Sequence, residues 1–331
     1  MTTQLQLDSH GSVPSHALDV LQDDALLPIC KACGTQYSAP TPTCPICEDP
    51  RQFVPASGQA WTNLAELGPS RTVSIVRDDE DVRISSINVD PPVGINQTPF
   101  ILETAGGSYI WDCAATINPA LVGYLLGLKQ PLKAIAISHP HFFASSLTWS
   151  RALRVPLYLC EADNRWFQRL SDIRPEDKVE WWSGEAILGQ GVKVVQCGGH
   201  FPGSCILYWD RLQEPPPAEL PTKPVPVSGI IFTADTIMVQ PTQTKFTFIW
   251  SAPNMIPLDP RAVLKILKVV DHLPFAQATS TWPNRFVRED AKKVLQDSVR
   301  AHLAACGWAA EGDQLVPLEG SVQEGVLAGA D

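Results

Sequence analysis

Apolar and polar positions along this chain fall into two textures. Between residues 70 and 113 the apolar residues come in short alternating runs, at 72–75, 82–89 and 100–103. A further run at 108–112 follows the Gly106–Gly107 turn. That period is the period of half-buried strands. Beyond Cys113 the pattern alternates between helical and strand-like stretches. Residues 119–128 read as a helix, with Asn118 as N-cap and Pro119 in the first position. A wholly apolar strand at 134–137 follows, then a helix at 145–153, a strand at 156–160 and a helix at 161–170. Strands at 192–196 and 206–209 flank a glycine-rich turn, and 229–233 is another apolar strand. An amphipathic helix at 260–270, a strand at 276–281 and a long helix at 287–303 complete the series. Strands first, then strands alternating with helices, predict a layered α/β architecture. Residues 211–227 hold six prolines and read as a surface insertion. The expected organisation is a disordered lead-in at 1–27, a small cysteine-bearing unit at 28–58, one large domain at 59–309 and a flexible tail at 310–331.

Composition narrows the function classes. With 44% hydrophobic and 18% charged residues, the 331-residue chain is globular. A formal net charge of -10 excludes a basic surface for nucleic acid and a polybasic hold on an anionic membrane. No apolar run reaches the length of a membrane span. Nine cysteines are an odd number, and no secretory segment precedes them, so a disulfide framework is not expected and the cytoplasm is.

Four of those cysteines form a pattern. Cys30-x-x-Cys33-Gly34 and Cys44-Pro45-Ile46-Cys47 are two knuckles ten residues apart, each able to present two thiolates to one tetrahedral ion. They resemble a zinc ribbon or a rubredoxin-like knuckle, with Zn²⁺ in a structural role or Fe in the same four sulfurs. The following segment, 52–67, is expected to pack on the main domain or on a second subunit, which leaves a homodimer open.

The chemistry gathers at strand ends. His139 and His141 follow the strand at 134–137, His200 follows the one at 192–196 through Cys197-Gly198-Gly199, and Asp235 follows 229–233. Loops at the carboxyl ends of strands are where α/β sheets place their chemistry. Histidines two apart on extended backbone face the same side and can share one ion. Asp112, Ser138-His139-Pro140-His141, Gly198-Gly199-His200-Phe201-Pro202-Gly203-Ser204 and Thr233-Ala234-Asp235 resemble, in order, the successive motifs of the metallo-β-lactamase superfamily. The resemblance covers roughly residues 60–305. It implies an αββα sandwich with metal at one edge, held by His139, His141 and His200, with Asp235 as the carboxylate that commonly bridges two ions.

The departures from that pattern are as informative. Phe143 and Ala144 stand where the superfamily's His-x-His-x-Asp-His run has its Asp and last His, and residues 276–285 lack its late histidine. His272 is the nearest histidine to that gap. A mononuclear site is therefore expected, with one Zn²⁺, or Fe²⁺ or Mn²⁺, on His139, His141, His200 and Asp235. Asp235 and His200 would be the catalytic residues. Phe142, Phe143, Trp182 and Trp282 are candidates to line a pocket for a small-molecule substrate. The expected activity is hydrolysis of an ester, thioester, lactone or amide of a small hydrophobic molecule by a metal-bound water. The alternatives are a mononuclear non-haem iron oxygenase and a non-catalytic binding protein.

Overall fold

The structure, a computed structural model, describes residues 4–7, 13–212, 228–282 and 284–310. Eight strands form the first sheet in chain order: β1 (Gln4–Gln6), β2 (Thr72–Arg77), β3 (Ile84–Asp90), β4 (Phe100–Thr104), β5 (Gly107–Trp111), β6 (Leu132–Ala136), β7 (Leu157–Cys160) and β8 (Val179–Trp182). Pairing is antiparallel from β1 to β5 and parallel from β5 to β8. The second sheet has six: β9 (Glu185–Gly189), β10 (Val192–Gln196), β11 (Cys205–Trp209), β12 (Gly229–Thr233), β13 (Phe275–Ser280) and β14 (Phe286–Val287). There only β12 and β13 run parallel.

Alternation along the strands sorts the core into three layers. Tyr109 and Trp111 of β5 and Ala134 and Ala136 of β6 meet Val194, Leu207, Trp209, Ile230 and Phe232 between the sheets. The intervening residues Ile110 and Ile135 face outward, as the two-residue period of a strand requires. They pack there against Leu121 and Leu125 of α2 (Pro119–Leu126) and Leu147 of α3 (Ser146–Leu153). On the far side Ile231 packs against α4 (Pro260–Val270) and α5 (Ala291–Ala305) through Val263, Ile266, Leu295 and Val299. The molecule is an αββα sandwich. Burying three apolar layers at about 25 cal/mol per Å² dominates its stability.

Local chemistry places the helices. The Asn118 side chain accepts the Leu121 N–H at 2.8 Å and Pro119 begins α2, a cap worth about 1 kcal/mol. Asp259 caps α4 in the same way.

Three expectations need correction. The lead-in contains a helix, α1 (Ser15–Asp23), which packs on α3. His16 Nε2 lies 3.2 Å from the Ala152 carbonyl, and the Asp24 carboxylate is bound by Arg169 and Thr148. Residues 161–170 form two short 3-10 turns, Glu161–Trp166 and Leu170–Asp172, rather than one helix. Asp163 is pulled inward there to accept the Gly203 N–H at 2.8 Å. Arg211, assigned to the surface insertion, is 1% exposed. It is ion-paired with Asp81 at 3.0 Å and donates to Ser228 O and Gln277 Oε1. Residues 213–227 of that insertion, and 311–331 of the expected tail, lie outside the described residues.

Candidate metal centre

Parallel strands end at one edge of each sheet, and both edges meet. β6 delivers Ser138, His139 and His141; β10 delivers His200; β12 delivers Asp235. The Cys205 N–H at the start of β11 donates to Ser138 O at 3.0 Å, which stitches the two edges together.

One ligand atom from each of His139, His141, His200 and Asp235 lies within 4.8 Å of all the others. Asp235 Oδ2 is 3.5 Å from His139 Nε2, 3.8 Å from His141 Nδ1 and 3.5 Å from His200 Nε2. His200 Nε2 and His141 Nδ1 are 3.1 Å apart. A tetrahedral ion with bonds of about 2.1 Å needs edges of about 3.4 Å. The donor set therefore fits a single ion.

Hydrogen bonding supports the same fit. His200 Nδ1 donates to the Ile249 carbonyl at 3.0 Å, which fixes the tautomer and leaves the Nε2 lone pair toward the centre. His139 Nδ1 is 2.9 Å from Ser138 Oγ. Among the described residues, His139 Nε2, His141 Nε2 and Asp235 Oδ1 are buried without a hydrogen-bond partner. Of these, His139 Nε2 faces the centre, 3.5 Å from Asp235 Oδ2, and an ion there would offset its orphan cost of about 1–3 kcal/mol.

The four side chains are 1–4% exposed. Burial resists ionisation of Asp235, but the imidazoles of His139, His141 and His200 outweigh it and hold the carboxyl well below the usual range. Burial also lowers the His141 and His200 pKa values, keeping those rings neutral as metal binding requires.

Supports stand behind the ligands. Asp112, with φ of +66°, accepts the Ser138 N–H at 2.7 Å, and burial pushes its carboxyl well up. Gly199, at φ +88°, has no room for a side chain: a Cβ would meet Ile266 Cδ1 and Thr236 Oγ1 at 2.7 Å. Cys197 is buried and its thiol pushed up to about 12 by that burial, so it is inert.

The pocket candidates separate. Phe142 lies against His139 at 5.0 Å and Trp282 at 6.2 Å, beside the centre. Phe143 turns away to pack on Phe167 at 5.3 Å, and Trp182 sits in the core between the sheets. His272 is apart from the centre, 57% exposed and 3.7 Å from Glu185.

At the second cluster, Cys30 and Cys47 Sγ are 3.6 Å apart, as are Cys33 and Cys44 Sγ, and all four lie within 4.8 Å. Four sulfurs at about 2.3 Å from an ion have edges of about 3.8 Å. Tyr37 Oη donates to Cys44 Sγ at 2.9 Å and Gln59 Nε2 to Cys30 Sγ at 3.2 Å.

Sequence reasoning missed Asp49, Arg51 and Gln97. Arg51 Nε donates to the His200 carbonyl at 2.6 Å, and its guanidinium lies 4.3 Å from the Phe201 ring centroid. Asp49 grips Arg51 Nη1 at 2.7 and 2.8 Å. The one local signal was a charged pair around Pro50 just past the last cysteine; no spacing rule connects it to His200.

No protein-family model matches the chain. The uncharacterised protein YmaE of Bacillus subtilis (strain 168) is 29% identical over 281 residues, covering 84% of this chain and 96% of YmaE. Among solved structures, the chain is similar to VMB-1 at 12% identity and a TM-score of 0.49, over 71% of this chain and 98% of that one. It is similar to the DIM-1 metallo-β-lactamase at 12% identity and a TM-score of 0.45, over 68% and 97%. It is similar also to the metallo-β-lactamase MIM-1 from Novosphingobium pentaromativorans at 15% and 0.40, over 69% and 89%. None of these identities carries a substrate across. The αββα sandwich, the cysteine cluster and the His-x-His loop implied by the sequence motifs are all present.

Proposed function

We propose that the protein is a mononuclear metal-dependent hydrolase acting on an ester, thioester, lactone or amide of a small hydrophobic molecule. The observation that carries this reading is the buried convergence of three imidazoles and one carboxylate on a single point. An ion held there by the three imidazoles, with Asp235 as a further oxygen donor and coordination able to expand to five, would polarise a carbonyl and lower the pKa of a coordinated water to about 7; zinc suits this donor set.

The chain's own groups do the rest. His139 and His200 are held in orientation by Ser138 Oγ and the Ile249 carbonyl. Asp235, ionised, offsets one charge of the ion, while its Oδ1, without a hydrogen-bond partner among the described residues, is available to accept a proton from the nucleophile. Trp282, half-buried and backed by the fully buried Phe142, supplies an apolar face that favours a hydrophobic substrate. Four protein donors also favour hydrolysis over oxygen activation, which uses two histidines, one carboxylate and several open positions.

The test is turnover of aryl ester, thioester and lactone substrates under strict anoxia by zinc-reconstituted protein. Activity is expected without dioxygen and lost on chelation, with Asp235→Asn slower by roughly 10²-fold. Turnover that appears only with Fe²⁺ and consumes dioxygen would replace this reading with the oxygenase. No turnover with either metal would leave a binding protein.

A further inference from the structure

The cysteine knuckle does not stand apart from the histidine centre. The Gln97 side-chain amide, 3% exposed, donates one hydrogen to the Cys33 carbonyl at 2.7 Å and the other to the His141 carbonyl at 3.0 Å. The Gln36 N–H, just past the first cysteine pair, donates to Ala144 O at 3.0 Å. Arg51, four residues past Cys47, holds the His200 carbonyl. Its own carbonyl accepts from Ser251 Oγ at 2.9 Å, which anchors it beside the Ile249 carbonyl that orients His200. Two of the three histidines thus have their backbone carbonyls bound by groups tied to the knuckle.

The fit at this joint is close. Gly94 packs so tightly on the knuckle that a Cβ would lie 2.7 Å from Gly34 N and 2.8 Å from Cys33 C. The segment after His141 bends through a positive φ of 43° at Ala144, whose carbonyl meets Gln36 of the knuckle segment.

We propose that an ion on the four cysteines sets the geometry, and hence the divalent-cation affinity, of the histidine centre, with Gln97 as the positioning residue between them. The proposal rests on the reading that the histidine centre takes a metal. The four sulfurs converge on one point, so without an ion nothing joins the two knuckles there and the Cys33 backbone is held by packing alone. Gln97 then loses one of its two anchors, and His141 loses a fixed backbone. Metal–ligand distances tolerate only about 0.2 Å, so small displacements weaken binding. Linkage makes the effect reciprocal: filling the histidines tightens the cysteine site.

Cobalt(II) titration of the full-length apoprotein distinguishes the sites, because thiolate–cobalt charge-transfer bands differ from the weaker visible bands of a nitrogen–oxygen site. The thiolate bands are expected to fill first and the histidine-site bands afterwards. Gln97→Met keeps the volume but removes both donors; it should weaken cobalt binding at the histidines about tenfold while leaving the thiolate bands unchanged. Arg51→Met, on the less buried side of the joint, should act in the same direction and covers the case of Gln97→Met failing to fold. Wild-type affinity at the histidines in both variants would overturn the coupling. Wild-type protein showing thiolate bands alone would overturn the histidine metal site itself, and the coupling with it.

Discussion

The two four-ligand clusters are built in opposite ways. The cysteines come from one short stretch, residues 30–47, and their geometry follows from two tight knuckles. The histidine centre draws on loops from residue 139 to residue 235, aimed by two sheets whose edges are stitched together. The first cluster lies on a segment that packs into the main core, but only an ion on its sulfurs would join the two knuckles directly. The second sits where the two stitched sheet edges already converge, independently of an ion. On this contrast an ion at the cysteines would act mainly on structure, and one at the histidines mainly on chemistry.

That contrast is open to attack from both ends. The largest effect is expected for Cys30→Ser combined with Cys33→Ser. Loss of the thiolate ion should destabilise the protein by several kcal/mol, lowering Tm by about 10 °C or more in a thermal melt. Next comes Gly199→Ala, which forces a Cβ to 2.7 Å from Ile266 and Thr236 at φ +88°. It should cost about 2–3 kcal/mol in chemical denaturation and weaken histidine-site metal binding.

Asp163→Asn should act in the stabilising direction. Burial, partly offset by the Gly203 N–H and by Arg51 and Arg165, raises its carboxyl from 3.8 to about 7. Below pH 3.8 both folded and unfolded states carry the proton. As pH rises toward 7 only the folded state retains it, so stability is lost across that window. The Asn variant lacks that loss and should exceed the wild type by about 1–2 kcal/mol at pH 8, the gap closing toward pH 4. The smallest effect on stability, about 1 kcal/mol or less, is expected for His139→Ala, since the sheets hold its loop. A melt as damaged as that of the cysteine variant would erase the contrast.

Legibility in the sequence follows the same division. The knuckle is readable from spacing alone, because its ligands are neighbours in the chain. The histidines were readable because apolar runs at 134–137, 192–196 and 229–233 each end on a polar ligand, and rigid strands translate sequence position into spatial position. Asn118 and Pro119 announced their helix for a purely local reason. What escaped was contact between distant polar residues. Gln97 sits in a loop with no periodicity, and its two partners lie at 33 and 141. Arg211 borders a proline-rich polar run and looked exposed, yet its charge is buried because Asp81, far away in the chain, pairs with it. The lead-in looked too polar to fold, but Arg169 and Thr148 take up the Asp24 carboxylate at the end of α1.

The most direct test of the central claim, that His139, His141, His200 and Asp235 together hold one ion, is metal content per chain. Elemental analysis of full-length wild-type protein should give about two ions, one closed and one open site. The His139→Ala/His200→Ala double variant should retain about one, with its cysteine site intact and its melt nearly unchanged. Equal metal content in the wild type and the double variant would contradict the account.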